Sequence, residues 1–566
     1  MIKYTTLSLI AALCLGKICF SAEKPNILFI SIDDLRPELG CYGNNVIHSP
    51  NIDRLAESGT IFEEAYCQVP VCGAARASLM TGIYPTSTRF LTYYTTAGGD
   101  AAGIPDIPKW LKRFGYTTIS NGKIYHDRND NLDSWDEVFR SKDFKIYHKA
   151  ENKALPDSEK PAYEDADVSD LDYAGGPVMQ KTIQDLRRAK ESGTPFFIAA
   201  GFTKPHLPFN APRKYWDLYD RQAIELASNP FAPEDSPKEA MHNWEELRTM
   251  YGGIPQEGAL SEAQARALKH GYYACVSYTD AMIGEILDEL DRLEMRDDTI
   301  IVLWGDHGWQ LGEHSLWCKH ALFKTSLNAP LIISAPGYDA GQRTTSLVEF
   351  VDIYPTLCEL AGVALPTHLQ GKSLAPLMME PSQVFKDAVF SRYHSGDAVK
   401  MERYHYVEWS NGARMLYDHS LDPDENINIA NHPEYVEVIT RMAQRLQEHR
   451  VAVMAREPEI RAAAGVSGEN TPPQWRDRTF REKAAIAGKP FKQYVNWRAS
   501  DADGDSLVYS MVSGPAWISL TNTKYGLLEG TPAVSDLGDN VVIISVSDNR
   551  NPPVQARMEL PVKKSE

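Results

Sequence analysis

Thr299-Ile300-Ile301-Val302-Leu303-Trp304-Gly305-Asp306-His307-Gly308-Trp309 carries the clearest strand signal in the chain, and it stops on residues that do chemistry. An unbroken apolar run without polar alternation describes a strand covered on both faces, as in a parallel sheet. The Asp306-His307 pair behind it offers one oxygen and one nitrogen to a metal shell.

Three other stretches repeat this arrangement. Pro25–Ile32 ends in Asp33-Asp34, Tyr116–Ser120 leads into Asn121-Gly122-Lys123-Ile124-Tyr125-His126, and Pro195–Gly201 leads into Phe202-Thr203-Lys204-Pro205-His206. Adjacent carboxylates after a buried strand repel unless a cation lies between them, and hard oxygen donors favour Ca²⁺ or Mg²⁺. A solvated Asp pair capping a helix is the plainer alternative. Lys123 reads as a fixed cation and His126 as a proton carrier, against a surface pair of no function. His206 sits in a loop stiffened by Pro205 and Pro208, against a Pro-rich turn with a bonded His. In open α/β sheets, ligands bind at the carboxyl ends of the strands, and all four motifs lie at such ends. The class expected is therefore α/β.

A fifth stretch, Val71-Cys72-Gly73-Ala74-Ala75-Arg76-Ala77-Ser78-Leu79-Met80-Thr81-Gly82, reads as a loop entering a short helix closed by Gly82. Cys72 then stands at the helix N-terminus, where amide dipoles are expected to acidify its thiol, with Arg76 one turn on to hold an anion. The same spacing also suits a small buried structural Cys.

Cys72-x-Ala74-x-Arg76, continued by Ala-Ser-Leu-Met-Thr-Gly, resembles the modification signature of the type I sulfatases, with Gly73 a less usual second residue. Lys204-Pro205-His206 resembles the family's sulfate-binding histidine motif, and Gly122-Lys123-x-x-His126 and Asp306-His307-Gly308-Trp309 followed by Gly312-Glu313-His314 resemble the iduronate-2-sulfatase branch of that family. The resemblance spans roughly residues 25 to 455. It implies an alkaline-phosphatase-like mixed sheet flanked by helices, and hydrolysis of sulfate esters. It also implies a formylglycine made from Cys72 by a maturation enzyme, and Ca²⁺ held by Asp33, Asp34, Asp306, His307 and residue 72. Arg76, Lys123 and Lys319 would be the fixed cations meeting the sulfate. His206 would protonate the departing alkoxide and His126 would help expel sulfate. A sulfated carbohydrate is the implied substrate. A phosphatase or phosphodiesterase of the same superfamily, and a non-catalytic glycan-binding relative, are the alternatives.

The 566 residues have room for two or three domains, and 43% hydrophobic with 24% charged content describes an ordinary globular chain. A formal net charge of -18 excludes nucleic-acid binding by general electrostatic attraction, and it requires any sulfate site to be locally basic or supplied with a cation. Lys3, the apolar run from Leu7 to Phe20 and the small Ser21-Ala22 predict a signal peptide over residues 1–22, with no membrane span after it and a periplasmic or secreted destination. Once Cys14 and Cys19 leave and Cys72 is converted, Cys41, Cys67, Cys275, Cys318 and Cys358 remain, an odd set that predicts no dense disulfide framework.

The expected organisation is a catalytic domain over 23–380, a small α+β subdomain over 381–460, a linker over 461–490 and an immunoglobulin- or cadherin-like β-sandwich over 491–566. Residues 140–172 read as a polar surface excursion, and Tyr93 and Tyr94 as candidates to line a sugar site. Asp501, Asp503 and Asp505 could bind Ca²⁺ or form a solvated turn, and their spacing is not that of an EF-hand.

Overall fold

The structure is a computed structural model that describes residues 24–141, 146–465, 471–501, 505, 507–548 and 551–564. The expected signal peptide lies outside the described residues, as does Asp503. No described helix is long and apolar enough to cross a membrane, and all six described cysteines are free.

The central sheet has eight strands. In chain order they are β1 (Asn26–Ile32), β2 (Thr60–Phe62), β3 (Thr117–Gly122), β4 (Glu137–Phe139), β5 (Phe196–Phe202), β6 (Thr299–Gly305), β7 (Leu331–Ser334) and β8 (Gln342–Thr344). Across the sheet they lie β8-β2-β7-β6-β1-β5-β3-β4. β1 pairs in parallel with both β5 and β6, and β3 in parallel with β5. Only β7 runs against its neighbours. Every residue of β5 and β6 is buried, so both sheet faces are covered, which is why these strands read as continuous apolar runs.

The long helices Gly175–Ser192 and Glu262–Arg292 pack on one another beside this sheet. Ser261 starts the second through a capping box, its Oγ accepting from Gln264 N at 3.3 Å while the Gln264 side chain accepts from Ser261 N at 3.2 Å. The polar excursion contains a strand, Tyr163–Ala166, paired with Phe209–Pro212.

Ala388–Tyr393, Gly396–Met401, Tyr404–Trp409 and Arg414–Asp418 form an antiparallel meander covered by the helix Val436–Ala455 around Val399, Tyr406, Leu416, Met442 and Leu446. Its second strand, Gly396–Met401, carries Asp397 and Lys400 among its apolar residues and gave no alternation to read.

Beyond it lies an all-β unit, a five-stranded and a three-stranded sheet with one two-stranded pair, with its own core of Trp475, Tyr509, Val542, Ile544, Val546, Met558 and Leu560. The span expected to be linker belongs in part to this unit. Gln474–Trp475 pairs with Ala499–Ser500, and Thr479–Arg481 and Ala485–Ile486 pair in parallel with Val554–Lys563. These segments are two or three residues long and their partners lie far along the chain, so no local periodicity announces them.

Candidate active site

The four strands whose ends carry the motifs are consecutive neighbours, in the order β6-β1-β5-β3. Because all four run the same way, Asp306-His307, Asp33-Asp34, His206 and Lys123-His126 emerge along one edge of the sheet. The ladder continues one residue past the strands: Asp33 N donates to Phe202 O at 3.1 Å, Asp306 N to Ile32 O at 3.3 Å and Lys123 N to Gly201 O at 2.9 Å. The first acidic residues are thereby fixed by backbone.

Asp33, Asp34, Asp306 and His307 are fully buried. Asp34 adopts a left-handed backbone, φ 58°, which Asp tolerates better than most residues, and its N–H donates to Asp306 Oδ1 at 3.0 Å. The Tyr272 hydroxyl donates to Asp34 O at 2.9 Å. His307 Nδ1 lies 2.8 Å from Gly308 O, so Nδ1 donates there and the ring turns Nε2 toward the acidic cluster. That Nε2 stands 3.4 Å from Asp34 Oδ1, 3.6 Å from Asp306 Oδ1 and 3.4 Å from Cys72 Sγ.

Cys72 opens the helix Cys72–Thr81, with Val71 at the N-cap and Gly82 closing it in the left-handed conformation. The acidified thiol expected from the helix dipole is not what the fold produces. Burial pushes the Cys72 thiol well above its ordinary value, and the charges of Asp33 and Asp306 add to the push against Lys319 and Lys123. A dipole at a ten-residue helix is outweighed where the thiol is out of water among carboxylates.

Arg76 takes a different position from the one expected. Its side chain is fully buried, with Nε donating to Asp306 Oδ2 at 2.9 Å and Nη2 to Asp33 Oδ1 at 3.1 Å. Nη1 bonds Ser31 Oγ at 2.7 Å and the Lys123 and Ile124 carbonyls, each at 2.9 Å. It braces two acidic residues from behind.

The outer cations face the cluster. Lys123 Nζ pairs with Asp33 Oδ2, and this with Arg76 holds the Asp33 carboxyl well below its usual range although burial opposes it. Lys319 Nζ lies 3.2 Å from Asp34 Oδ1 and 2.9 Å from Glu246 Oε2, over the Trp309 ring. His206 Nε2 lies 3.0 Å from Glu246 Oε1 and 3.8 Å from Asp34 Oδ2. Burial disfavours charge on His206, and Asp34 and Glu246 outweigh it and raise its pKa. His126 stands further out, with its Nδ1 buried and without a protein partner, and burial next to Lys123 holds its pKa well below the ordinary value.

Glu246 is the participant that the sequence did not disclose. It comes from the short helix Glu245–Met250 inside a loop-rich stretch with no preceding strand. No motif surrounds it, and only the fold carries it to Lys319 and His206.

One ligand atom each from Asp33, Asp34, Cys72 and His206 lies within 4.8 Å of the others, and the same holds for Cys72, Asp306 and His307. Carboxylate oxygens around an imidazole nitrogen form a donor set that a hard divalent cation can take, so the residues present fit a metal. Elsewhere Asp501, Asp505 and Asp548 approach one another in the sandwich, and His405, His419 and Glu425 in the subdomain.

Fold and site together define an alkaline-phosphatase-like hydrolase, with a buried cysteine and a carboxylate cluster that fits a divalent cation on one sheet edge. The sulfatase family model matches residues 25–363, and the N-sulphoglucosamine sulphohydrolase C-terminal model matches residues 312–452; the chain belongs to the sulfatase family and is a sulfuric ester hydrolase. It is 34% identical to mouse iduronate 2-sulfatase over 417 residues, covering 63% of this chain and 74% of that protein. It is 31% identical to a sulfatase of Formosa agariphila over 436 residues, covering 72% and 83%. A structure determined with its substrate D-glucosamine-2-N,6-O-disulfate superposes with a TM-score of 0.64 at 23% identity, covering 77% of this chain and 99% of that one.

Proposed function

We propose that this chain is a secreted or periplasmic sulfatase that hydrolyses sulfate esters of a sulfated glycan with a formylglycine at position 72 and a Ca²⁺ ion. The observation that carries the reading is the placement of Cys72. Its Sγ lies 3.4 Å from His307 Nε2 and 4.0 Å from Asp34 Oδ1, at the focus of the acidic shell, while its thiol is held protonated. A protonated, buried thiol is a poor nucleophile, and the same position occupied by an aldehyde hydrate is a good one.

Asp33, Asp34, Asp306, His307 and residue 72 would hold the ion, which when bound supplies positive charge against the sulfate oxygens. A formylglycine at position 72 would supply a hydrate hydroxyl as the nucleophile toward sulfur and, by re-forming its carbonyl, a route for sulfate to leave. The chain's own side chains do the rest. Lys123 and Lys319 flank the carboxylates and present ammonium groups to an anion that the net charge of -18 would otherwise repel. His206, oriented by Glu246, holds a proton at Nε2 for the departing alkoxide. His126, neutral with an unpartnered Nδ1, is set to accept a proton as the carbonyl re-forms. Arg76, buried behind the cluster, keeps Asp33 and Asp306 in register.

The iduronate 2-sulfatase relative supports the glycan class, and the fold neighbour bound to a disulfated glucosamine is consistent with it. Co-expression with a formylglycine-generating enzyme, followed by assay on an aryl sulfate and its phosphate analogue with and without a Ca²⁺ chelator, tests the proposal. Sulfate hydrolysis that is lost on chelation and restored by Ca²⁺ is expected. A preference for the phosphate ester, or full activity with unmodified Cys72, overturns it.

A further inference from the structure

The all-β unit does not stand apart from the active site. Its Asn496–Arg498 turn places Trp497 against the catalytic domain, stacked on Tyr94 with ring centroids 5.3 Å apart and planes at 15°. Tyr94 in turn lies 3.9 Å from Tyr93, and Tyr93 meets His126 edge-on at 5.9 Å. A ladder of rings therefore runs outward from His126 to the terminal unit.

Both ends of this ladder are anchored. On the sandwich side, Trp497 Nε1 donates to Tyr494 O at 3.0 Å, Arg498 lies 4.0 Å from the Trp497 ring centroid, and the Tyr509 hydroxyl holds Asn496 O at 3.1 Å. The adjacent segment reaches the same face: Arg476 N donates to Arg498 O at 2.8 Å, and the Arg476 guanidinium lies 3.9 Å from Asp127 and against Gly99. On the catalytic side, the Tyr93 carbonyl occupies the space where a Cβ on residue 73 would stand, at 2.2 Å. Gly73, the unusual second residue of the signature, is thus what lets Tyr93 pack directly behind the nucleophile position. Tyr93 itself is 43% exposed, although it is held from both sides.

A fixed, half-exposed aromatic ring beyond the proton-carrying histidine is a surface for the C–H face of a pyranose. Resting on the glycan-sulfatase reading, we propose that the C-terminal β-sandwich is a wall of the substrate cleft: Tyr93 receives the sugar linked to the sulfated one, and Trp497 is the positioning residue that fixes the Tyr94–Tyr93 pair. The unit then selects oligosaccharides over small sulfate esters, in place of acting as a tethered adhesion module.

The test is steady-state kinetics of the matured full-length chain on a 2-O-sulfated uronate-containing disaccharide and on 4-nitrocatechol sulfate. Trp497→Ala is expected to lower kcat/KM for the disaccharide about tenfold through KM, with kcat and the aryl sulfate reaction within about twofold of wild type. Trp497→Phe is expected to recover most of the loss, and Tyr93→Ala with Trp497→Ala to lose no more than Tyr93→Ala alone. No change in the disaccharide KM, or equal losses on both substrates, overturns the proposal. If wild type cleaves neither ester, the glycan-sulfatase reading fails separately. Disaccharide binding to Cys72→Ala protein by calorimetry, with and without Trp497→Ala, then decides the subsite alone: weaker binding without the indole supports it, and equal binding overturns it.

Discussion

Arg76→Lys keeps the positive charge and removes the fork. The arginine makes five contacts: to Asp306 Oδ2, Asp33 Oδ1, Ser31 Oγ and the carbonyls of Lys123 and Ile124. An ammonium has three donors on one nitrogen and cannot reach acceptors spread around a plane. With two buried acceptors losing their donor, each at a cost of about 1–3 kcal/mol, the expected loss is about 2–6 kcal/mol. For a chain this size that is about 4–12 °C in Tm, taking about 2 °C per kcal/mol. Because the freed acceptors include Asp33 or Asp306, the proposed metal shell should loosen as well, and addition of Ca²⁺ should raise the variant's Tm less than that of wild type. Differential scanning fluorimetry with a Ca²⁺ titration measures both. A variant within about 1 °C of wild type, with the same Ca²⁺ response, would show that Arg76 is not the brace described.

Cys72→Ser is isosteric at a fully packed position and should leave Tm nearly unchanged while lowering kcat at least about a hundredfold, because a serine cannot eject sulfate by carbonyl re-formation; mass spectrometry of the peptide spanning residue 72 shows in parallel whether wild type carries the aldehyde. Glu246→Gln removes the charge that orients His206 and Lys319, and kcat/KM should fall about tenfold to a hundredfold with no loss of expression or fold by circular dichroism. His368 is buried against Thr81 O at 3.1 Å, and burial pushes its pKa down to about 4. The folded state therefore binds this proton less readily than the unfolded chain. Its contribution is intact above about pH 6.5 and is lost as pH falls toward 4, up to about 3 kcal/mol. His368→Gln should flatten that acid limb in urea unfolding at pH 7 and pH 4.5, and an unchanged limb would remove the histidine from the account.

Strand ends and their motifs were legible because buried parallel strands write themselves as unbroken apolar runs, and a polar group directly after one has few reasons to be there. Asp33-Asp34, Lys123, His206 and Asp306-His307 were found in that way. Glu246 was not, since a carboxylate on a two-turn helix in a loop looks like surface until the chain is folded. The strands between residues 474 and 486 were read as linker for a related reason. They are short, and what makes them strands is the partner Val554–Lys563, not their own pattern.

The strands at Thr299–Trp309 and its three companions, and the polar motifs at their ends, were thus legible from residue type and spacing, together with the class of fold that puts them on one edge. The tertiary structure decided what each charge does there. Burial raised the Cys72 thiol that a helix start alone would have acidified, because desolvation acts over the whole side chain while the dipole of one short helix acts only at its end. Packing turned Arg76 from a sulfate contact into a brace for two acids, and it brought Trp497 from the far end of the chain to the ring ladder outside His126. None of these could be read locally, since each depends on which groups from distant segments exclude water from the same few ångströms.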